Sequence, residues 1–244
     1  MKGELIFGVN PVKESLQGTR GAFNLYVQIS ASDHRVEKII KLAEERGVAV
    51  HRREKLDLTK MCASSHHQGI VLEVEPFQYS DFDDLTAAVA RSGRPGFLLV
   101  LDGIQDPHNL GALIRSAACS GADGVIIPKD RACGITAAAE KTSAGAIETV
   151  PVAMVTNIVH SLEQLKKLGY WVYGLDGTAR HSVYQTDFSG NVVLVVGGEG
   201  EGIRHLVRKQ CDVVMSIPQF GGVSSLNASV AGGIALFEVA RKLR

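Results

Sequence analysis

Ser216-Ile217-Pro218-Gln219-Phe220-Gly221-Gly222-Val223-Ser224-Ser225-Leu226-Asn227-Ala228-Ser229-Val230 reads as the end of a strand, a glycine bend and the polar entry to a last helix. Ser225 or Asn227 suits the N-cap of that helix, and Val230, Ile234 and Phe237 follow as its apolar stripe. Upstream, Val195-Val196-Gly197-Gly198-Glu199-Gly200-Glu201-Gly202-Ile203 is a strand that ends in a glycine turn. Bare main chain of that kind lets a ligand pack closely and leaves amides and carbonyls free to bond it. Further upstream, Leu101-Asp102-Gly103-Ile104-Gln105-Asp106-Pro107-His108-Asn109-Leu110-Gly111-Ala112-Leu113-Ile114-Arg115 runs from a strand through a polar turn into a helix. Asn109 is a candidate N-cap there, and Gly111, four residues before Arg115, leaves the surface beside the guanidinium open. An arginine on an otherwise apolar helix suits a phosphate or carboxylate, although a single such residue is more often merely solvated.

Around these segments the pattern is that of an α/β protein. Six apolar, β-rich runs are expected as strands: Phe97 to Leu101, Val125 to Ile127, Val150 to Ala153, Trp171 to Leu175, Val192 to Val196 and Val213 to Ile217. Helical stripes at Leu110, Leu113, Ile114 and Ala117, and at Ile158, Leu162 and Leu165, alternate with them. Near-continuous apolar strands alternating with helices indicate a mostly parallel sheet covered on both faces. Residues 76 to 96 change character, with a proline, an acidic cluster and then Ser-Gly-Arg-Pro-Gly, and are read as a linker. Residues 1–75 before it form a small α/β domain, with strands at Phe23 to Ile29 and Gly69 to Val74 and a helix carrying Val36, Ile39, Ile40 and Ala43. Residues 97–244 form the larger domain.

Composition narrows the function. The 26 Lys and Arg cancel the 26 Asp and Glu, so any nucleic acid must be held by a local patch and not by a global positive field. Mean hydropathy is +0.08, no apolar run is long enough for a membrane span, and the opening MKGELIFGVNPVKESL lacks a signal peptide's apolar stretch. A cytoplasmic protein with no membrane partner is expected. Cys62, Cys119, Cys133 and Cys211 are widely separated, which gives neither a zinc knuckle nor a redox pair, and no metal is expected. The chain has no G-x-x-x-x-G-K-[ST], H-E-x-x-H or G-x-S-x-G motif, and no G-x-G-x-x-G follows the larger domain's first strand. Eight of its 26 glycines fall between Gly197 and Gly233, so backbone approaches something closely at that end.

Together and in this order, N-x-G-x-x-x-R, G-G-E-G-x-G and I-P-x-x-G-x-x-S-S-L-N-x-S-V-A resemble the three motifs of the SpoU (TrmH) family of SPOUT methyltransferases. Phe7-Gly8-Val9-Asn10-Pro11-Val12 and His67-Gln68-Gly69-Ile70-Val71 look like the two ends of the L30e-like substrate-binding domain of its RlmB-type branch. The resemblance covers nearly the whole chain. It implies transfer of a methyl group from S-adenosylmethionine to a ribose 2′-hydroxyl, here a guanosine in the peptidyl-transferase region of 23S rRNA. A C-terminal trefoil knot and a homodimer packed through the knot region are also implied.

On the same basis Arg115 is central to catalysis, with Asn109, Glu199, Ser225 and Asn227 around ribose and phosphate. Gly197, Gly198, Gly200, Ile217 and Leu226 contact the cofactor. A guanidinium is a poor base, so Arg115 is read as holding phosphate and steadying the developing alkoxide. Phosphate contacts in the front domain are expected at Arg20, Arg52, Arg53 and Lys55. The competing readings are a tRNA ribose 2′-O-methyltransferase of the same family and a catalytically silent RNA-binding or ribosome-assembly factor. The His67-Gln68-Gly69 signature and the front domain favour rRNA over tRNA.

Overall fold

The computed structural model describes residues 3–18, 20–29, 34–222 and 225–243; Val223 and Ser224 of the third motif lie outside the described residues. Elements run β1 (Glu4–Phe7), α1 (Val9–Gln17), β2 (Ala22–Gln28), α2 (His34–Glu45), β3 (Ala49–Arg53), α3 (Lys55–Cys62), β4 (Ile70–Val74) and α4 (Phe82–Arg91). Then follow β5 (Phe97–Asp102), α5 (Pro107–Ser120), β6 (Gly124–Pro128), α6 (Ala137–Ser143), β7 (Val152–Val155) and α7 (Ile158–Lys167). The chain ends with β8 (Tyr170–Leu175), β9 (His181–Ser182), β10 (Asn191–Gly197), α8 (His205–Arg208), β11 (Val213–Ser216) and α9 (Ala228–Leu243). Two compact units emerge: Met1–Gln78 with Ile135–Thr149, and Tyr79–Gly134 with Val150–Arg244. Among the described residues no helix is long and apolar enough to cross a membrane.

In the first unit the sheet order is β1-β4-β2-β3, with β4 antiparallel to β1 and β2, and β2 parallel to β3. Leu25, Val27, Ile70, Leu72 and Val74 meet the α2 stripe of Val36, Ile39 and Ala43 in its core. The two sequence ends of the unit are joined directly. Gln68 Oε1 accepts the Val9 N–H at 2.8 Å, and the Gly8 N–H reaches the Ile70 carbonyl at 3.3 Å. Gly8 has φ 100°, a backbone state that favours glycine. His67 is buried; its Nδ1 accepts the Gly69 N–H at 3.0 Å, which leaves Nε2, 3.1 Å from Thr59 Oγ1, to carry the proton. Burial, helped by Lys55 and Lys141, lowers its pKa and keeps it neutral. The His67-Gln68-Gly69 signature therefore holds this unit together.

Arg20 corrects an expectation. Its side chain is only 7% exposed and is enclosed by carboxylates, Glu140 at 2.5 Å, Glu148 at 3.4 Å and Glu4, so it is not presented to a phosphate. Its Nε also donates to the Glu75 carbonyl at 2.6 Å. Because Glu140 and Glu148 belong to residues 135–149, Arg20 fastens that stretch into the first unit. Lys141 adds a bond from Nζ to the His66 carbonyl at 3.0 Å and lies 5.3 Å from the Phe7 ring centre.

The second unit is built on a sheet of order β7-β6-β5-β10-β8-β11-β9, parallel throughout. All six expected strands are present, within two residues at each end, and β9 is an addition. The stretch read as a linker is largely structured: α4 lies inside it, and Leu85 and Val89 join Leu98, Val100, Leu162 and Leu165 in this unit's core. Asp81 caps α4, its Oδ1 accepting the Asp83 and Asp84 amides. The α9 stripe is a second correction, since Val230 and Phe237 are half exposed while Gly232, Ala235, Leu236 and Val239 are buried. A Cβ on Gly232 would run into Leu113, so glycine sets how closely α9 approaches α5.

Glu140 gives a pH test of the first unit. Burial outweighs Arg20 and raises its carboxyl from the ordinary 4.5 to about 7, and its Oε2 has no hydrogen-bond partner. The folded state thus holds this proton more tightly than the unfolded one, and Glu140 lowers stability as pH rises from about 4.5 to about 7. Thermal unfolding of Glu140→Gln beside the parent at pH 5 and pH 8 should show the variant gaining relative stability at the higher pH. A difference in Tm that does not change with pH would contradict this.

Candidate active site

The site lies where β5, β10, β8 and β11 end, the place a parallel sheet offers for ligands. Pro107 occupies the first turn of α5 and Asp106 is the N-cap, accepting the His108 N–H at 2.9 Å. Asn109 is therefore not the cap that its sequence context suggests. Its buried side chain instead donates from Nδ2 to Glu199 Oε1 at 2.5 Å and accepts from Asn227 Nδ2 at 3.0 Å. Asn227 has two tasks, because its Oδ1 also accepts the Ser229 N–H at 2.9 Å and the Val230 N–H at 3.3 Å and so caps α9. This cap fixes which way the Asn227 amide points, and through Asn109 it orients the Glu199 carboxylate.

Asp102, at the end of β5, holds the glycine turn at both ends. Its carbonyl accepts the Gly198 N–H at 3.0 Å; its fully buried carboxylate accepts the Arg204 N–H at 2.8 Å and Arg204 Nε at 2.7 Å. A Cβ on Gly198 would overlap the Gly103 carbonyl, and one on Gly197 would overlap the Gly202 backbone. These two glycines let the loops touch one another, a requirement the sequence suggested for a ligand. Gly200 and Gly202 have φ +87° and +67°, with open space where a Cβ would stand.

Beside the turn is a cavity of about 560 Å³. Its walls are Gly197 to Gly202, Ile217 and Gln219, Ser225 to Ala228 with Ala231, and Leu175 to Thr178. All five expected cofactor-contact residues line it, as do Glu199, Ser225 and Asn227. Sequence reasoning missed Leu175 to Thr178, whose only signal is the position after a strand. Asp176 Oδ1 accepts the Thr178 N–H at 2.8 Å and its hydroxyl at 2.7 Å, and Oδ2 accepts Arg208 Nε at 2.7 Å. Burial opposes this charge, but those bonds hold the Asp176 pKa below the usual carboxylate range.

Arg115 stands apart from this network. It is exposed on α5, does not line the cavity and makes no hydrogen bond or ion pair among the described residues. Six residues along a helix from Asn109, it falls on a different face. In the first unit Arg52, Arg53 and Lys55 are exposed on β3 and at the start of α3, with Arg53 6.0 Å from the Tyr26 ring centre.

The comparisons agree with this geometry. Residues 96–237 match the SpoU rRNA Methylase family, and residues 5–80 match the substrate-binding region of RNA 2′-O ribose methyltransferases. An uncharacterized tRNA/rRNA methyltransferase of Mycolicibacterium vanbaalenii is 44% identical over 99% of this chain and 77% of its own. The 23S rRNA (guanosine-2′-O-)-methyltransferase RlmB of Photorhabdus laumondii is 42% identical over 98% of each chain. The fold is that of the SpoU methyltransferase AviRb from Streptomyces viridochromogenes, solved in complex with AdoMet, at a TM-score of 0.80, 24% identity and coverage of 98% of this chain and 89% of that one. With Asn109, Glu199 and Asn227 of its three motifs joined at the strand ends of a parallel sheet and a family match that spans more than half its length, this chain belongs to the SpoU rRNA methylase family.

Proposed function

We propose that this protein transfers a methyl group from S-adenosylmethionine to the 2′-hydroxyl of a ribose in 23S rRNA, on a guanosine. One observation carries the reading: the Asn227–Asn109–Glu199 chain ends in a carboxylate at the wall of a cavity lined by glycine main chain. The cavity fits the cofactor. Leu175, Val196, Ile217, Leu226 and Ala231 give an apolar wall for a purine, while main-chain groups and the Asp176–Thr178 turn can bond a ribose. Glu199 and Glu201 suit a cationic sulfonium and ammonium.

When bound, S-adenosylmethionine supplies an activated methyl group, which leaves the protein to place and deprotonate the hydroxyl. Glu199, aimed by Asn109, accepts the hydroxyl proton. Ser225 and Asn227 bond the ribose from the other side, and Arg115 neutralises phosphate charge and steadies the alkoxide. The first unit supplies RNA affinity through Arg52, Arg53 and Lys55. An rRNA substrate supports a cytoplasmic location. A homodimer joined through the C-terminal region, whose chain forms a trefoil knot, is supported by the half-exposed Val230 and Phe237 on α9. The exposed position of Arg115 on the adjoining α5 also suits completion of the site by a second copy.

Three measurements test this reading. Ribose-methylation mapping of 23S rRNA from a deletion strain should show one guanosine unmodified and restored by the gene; an unchanged map would refute the substrate. Arg115→Ala should slow single-turnover methyl transfer by roughly 10² to 10³, as loss of one preorganised donor does, with calorimetric affinity for S-adenosylmethionine unchanged. Phe237→Glu should give a monomer by light scattering, and a variant that stays dimeric would exclude α9 from the interface.

A further inference from the structure

The catalytic face has one flank that the reading above leaves unused. The sheet order sets β6 next to β5, on the side away from β10, and the residues after β6 run alongside the turn after β5. The Cys133 N–H donates to the Ile104 carbonyl at 2.9 Å, and a Cβ on Gly103 would stand 3.6 Å from the Arg131 carbonyl. Partial burial raises the pKa of the Cys133 thiol, and the negative charges of Asp106 and Glu199 push it the same way. Three loops are thus contiguous: 129–133, 103–106 and the glycine turn. The cavity opens among the ends of β8, β10 and β11 and none of its lining comes from 103–106 or 129–133, so a strand offered to Glu199 has that flank to lie on.

Lys129 and Arg131 stand there, both exposed and without a hydrogen bond or ion pair for their side chains among the described residues. Of the other arginines near the strand ends, Arg204 is engaged by Asp102 and Arg208 by Asp176, whereas Arg115 and Arg180 are exposed and, among the described residues, without a hydrogen bond or ion pair for their side chains. Arg131 also has φ 59°, the left-handed region that glycine and asparagine occupy far more readily than arginine. A turn that served only the backbone would be better made with either of them. A cationic side chain kept in a strained backbone position beside a reaction centre points to use of the side chain.

We propose that Lys129 and Arg131 bind a backbone phosphate of the RNA strand next to the methylated nucleotide and hold its ribose over Glu199. This rests on the functional reading above and deepens it by naming where the substrate backbone lies. The contact is electrostatic and reads no base, so it fixes the register of the strand and not its sequence.

The test uses the full chain, S-adenosylmethionine and a transcribed 23S rRNA fragment, and follows kcat, KM for RNA at several KCl concentrations, cofactor affinity and Tm. Arg131→Asn fits the left-handed turn, so Tm should hold or rise while KM for RNA increases about tenfold and its salt dependence flattens by roughly one phosphate contact. Arg131→Lys should recover most of the affinity, and Lys129→Gln combined with Arg131→Asn should exceed either alone. Cofactor affinity should be unchanged in all of them. If the double variant keeps the parent KM and salt slope, or if its losses track a fall in Tm or in cofactor binding, the phosphate contact is wrong. If the parent methylates no ribose of this RNA, the functional reading falls and takes the contact with it.

Discussion

A single buried carboxylate organises the catalytic face. Asp102 ends β5, and from that point it fixes the start of the glycine turn through its carbonyl and the end of the turn through its side chain. A charge without solvent is tolerable only when its partners are complete, and the Arg204 amide and guanidinium complete this one. With both ends fixed, Glu199 has one place to stand, and Gly198 is pressed against Gly103. Removing Asp102 would free the turn, the cavity wall and the Glu199 carboxylate together. It therefore constrains the site without taking part in the reaction.

The amide chain from α9 to Glu199 follows the same economy. Asn227 is asked to cap a helix, and the oxygen used for the cap turns its NH₂ toward Asn109. The helix terminus thus transmits its orientation to a carboxylate by way of two amides, each with a defined donor and acceptor end. Capping a helix and lining a cavity look like rival explanations of a Ser/Asn-rich helix start, and in this protein one side chain does both.

The first unit depends on a different buried charge. Arg20 gathers Glu4, Glu140 and Glu148, of which two come from a stretch that sequence position assigns to the methyltransferase domain. Burial is the largest influence on the Glu140 carboxyl and outweighs its ion pair with Arg20, and the negative charges of Glu4 and Glu148 push in the same direction. The chain accordingly enters the first unit twice, and a division drawn only along the sequence misses the second entry.

Periodicity in the sequence was enough for the six main strands and for the buried stripes of α5 and α7. These features depend on near neighbours and on apolar side chains that have one favourable place to go. The residues expected at the cofactor came from the resemblance of the three motifs to a family and not from periodicity, and the structure places them around one cavity. Tertiary structure alone decided the rest. Arg20 reads as a surface cation until Glu140 and Glu148, more than a hundred residues away, are seen around it. Val230 and Phe237 keep helical spacing yet face outward, because Gly232, Ala235 and Leu236 are small or shaped enough to seat against α5. Asp102, Asp176 and Arg131 carry no motif of their own: their significance lies in which loop ends meet, and long-range contacts, which no local window contains, determine that.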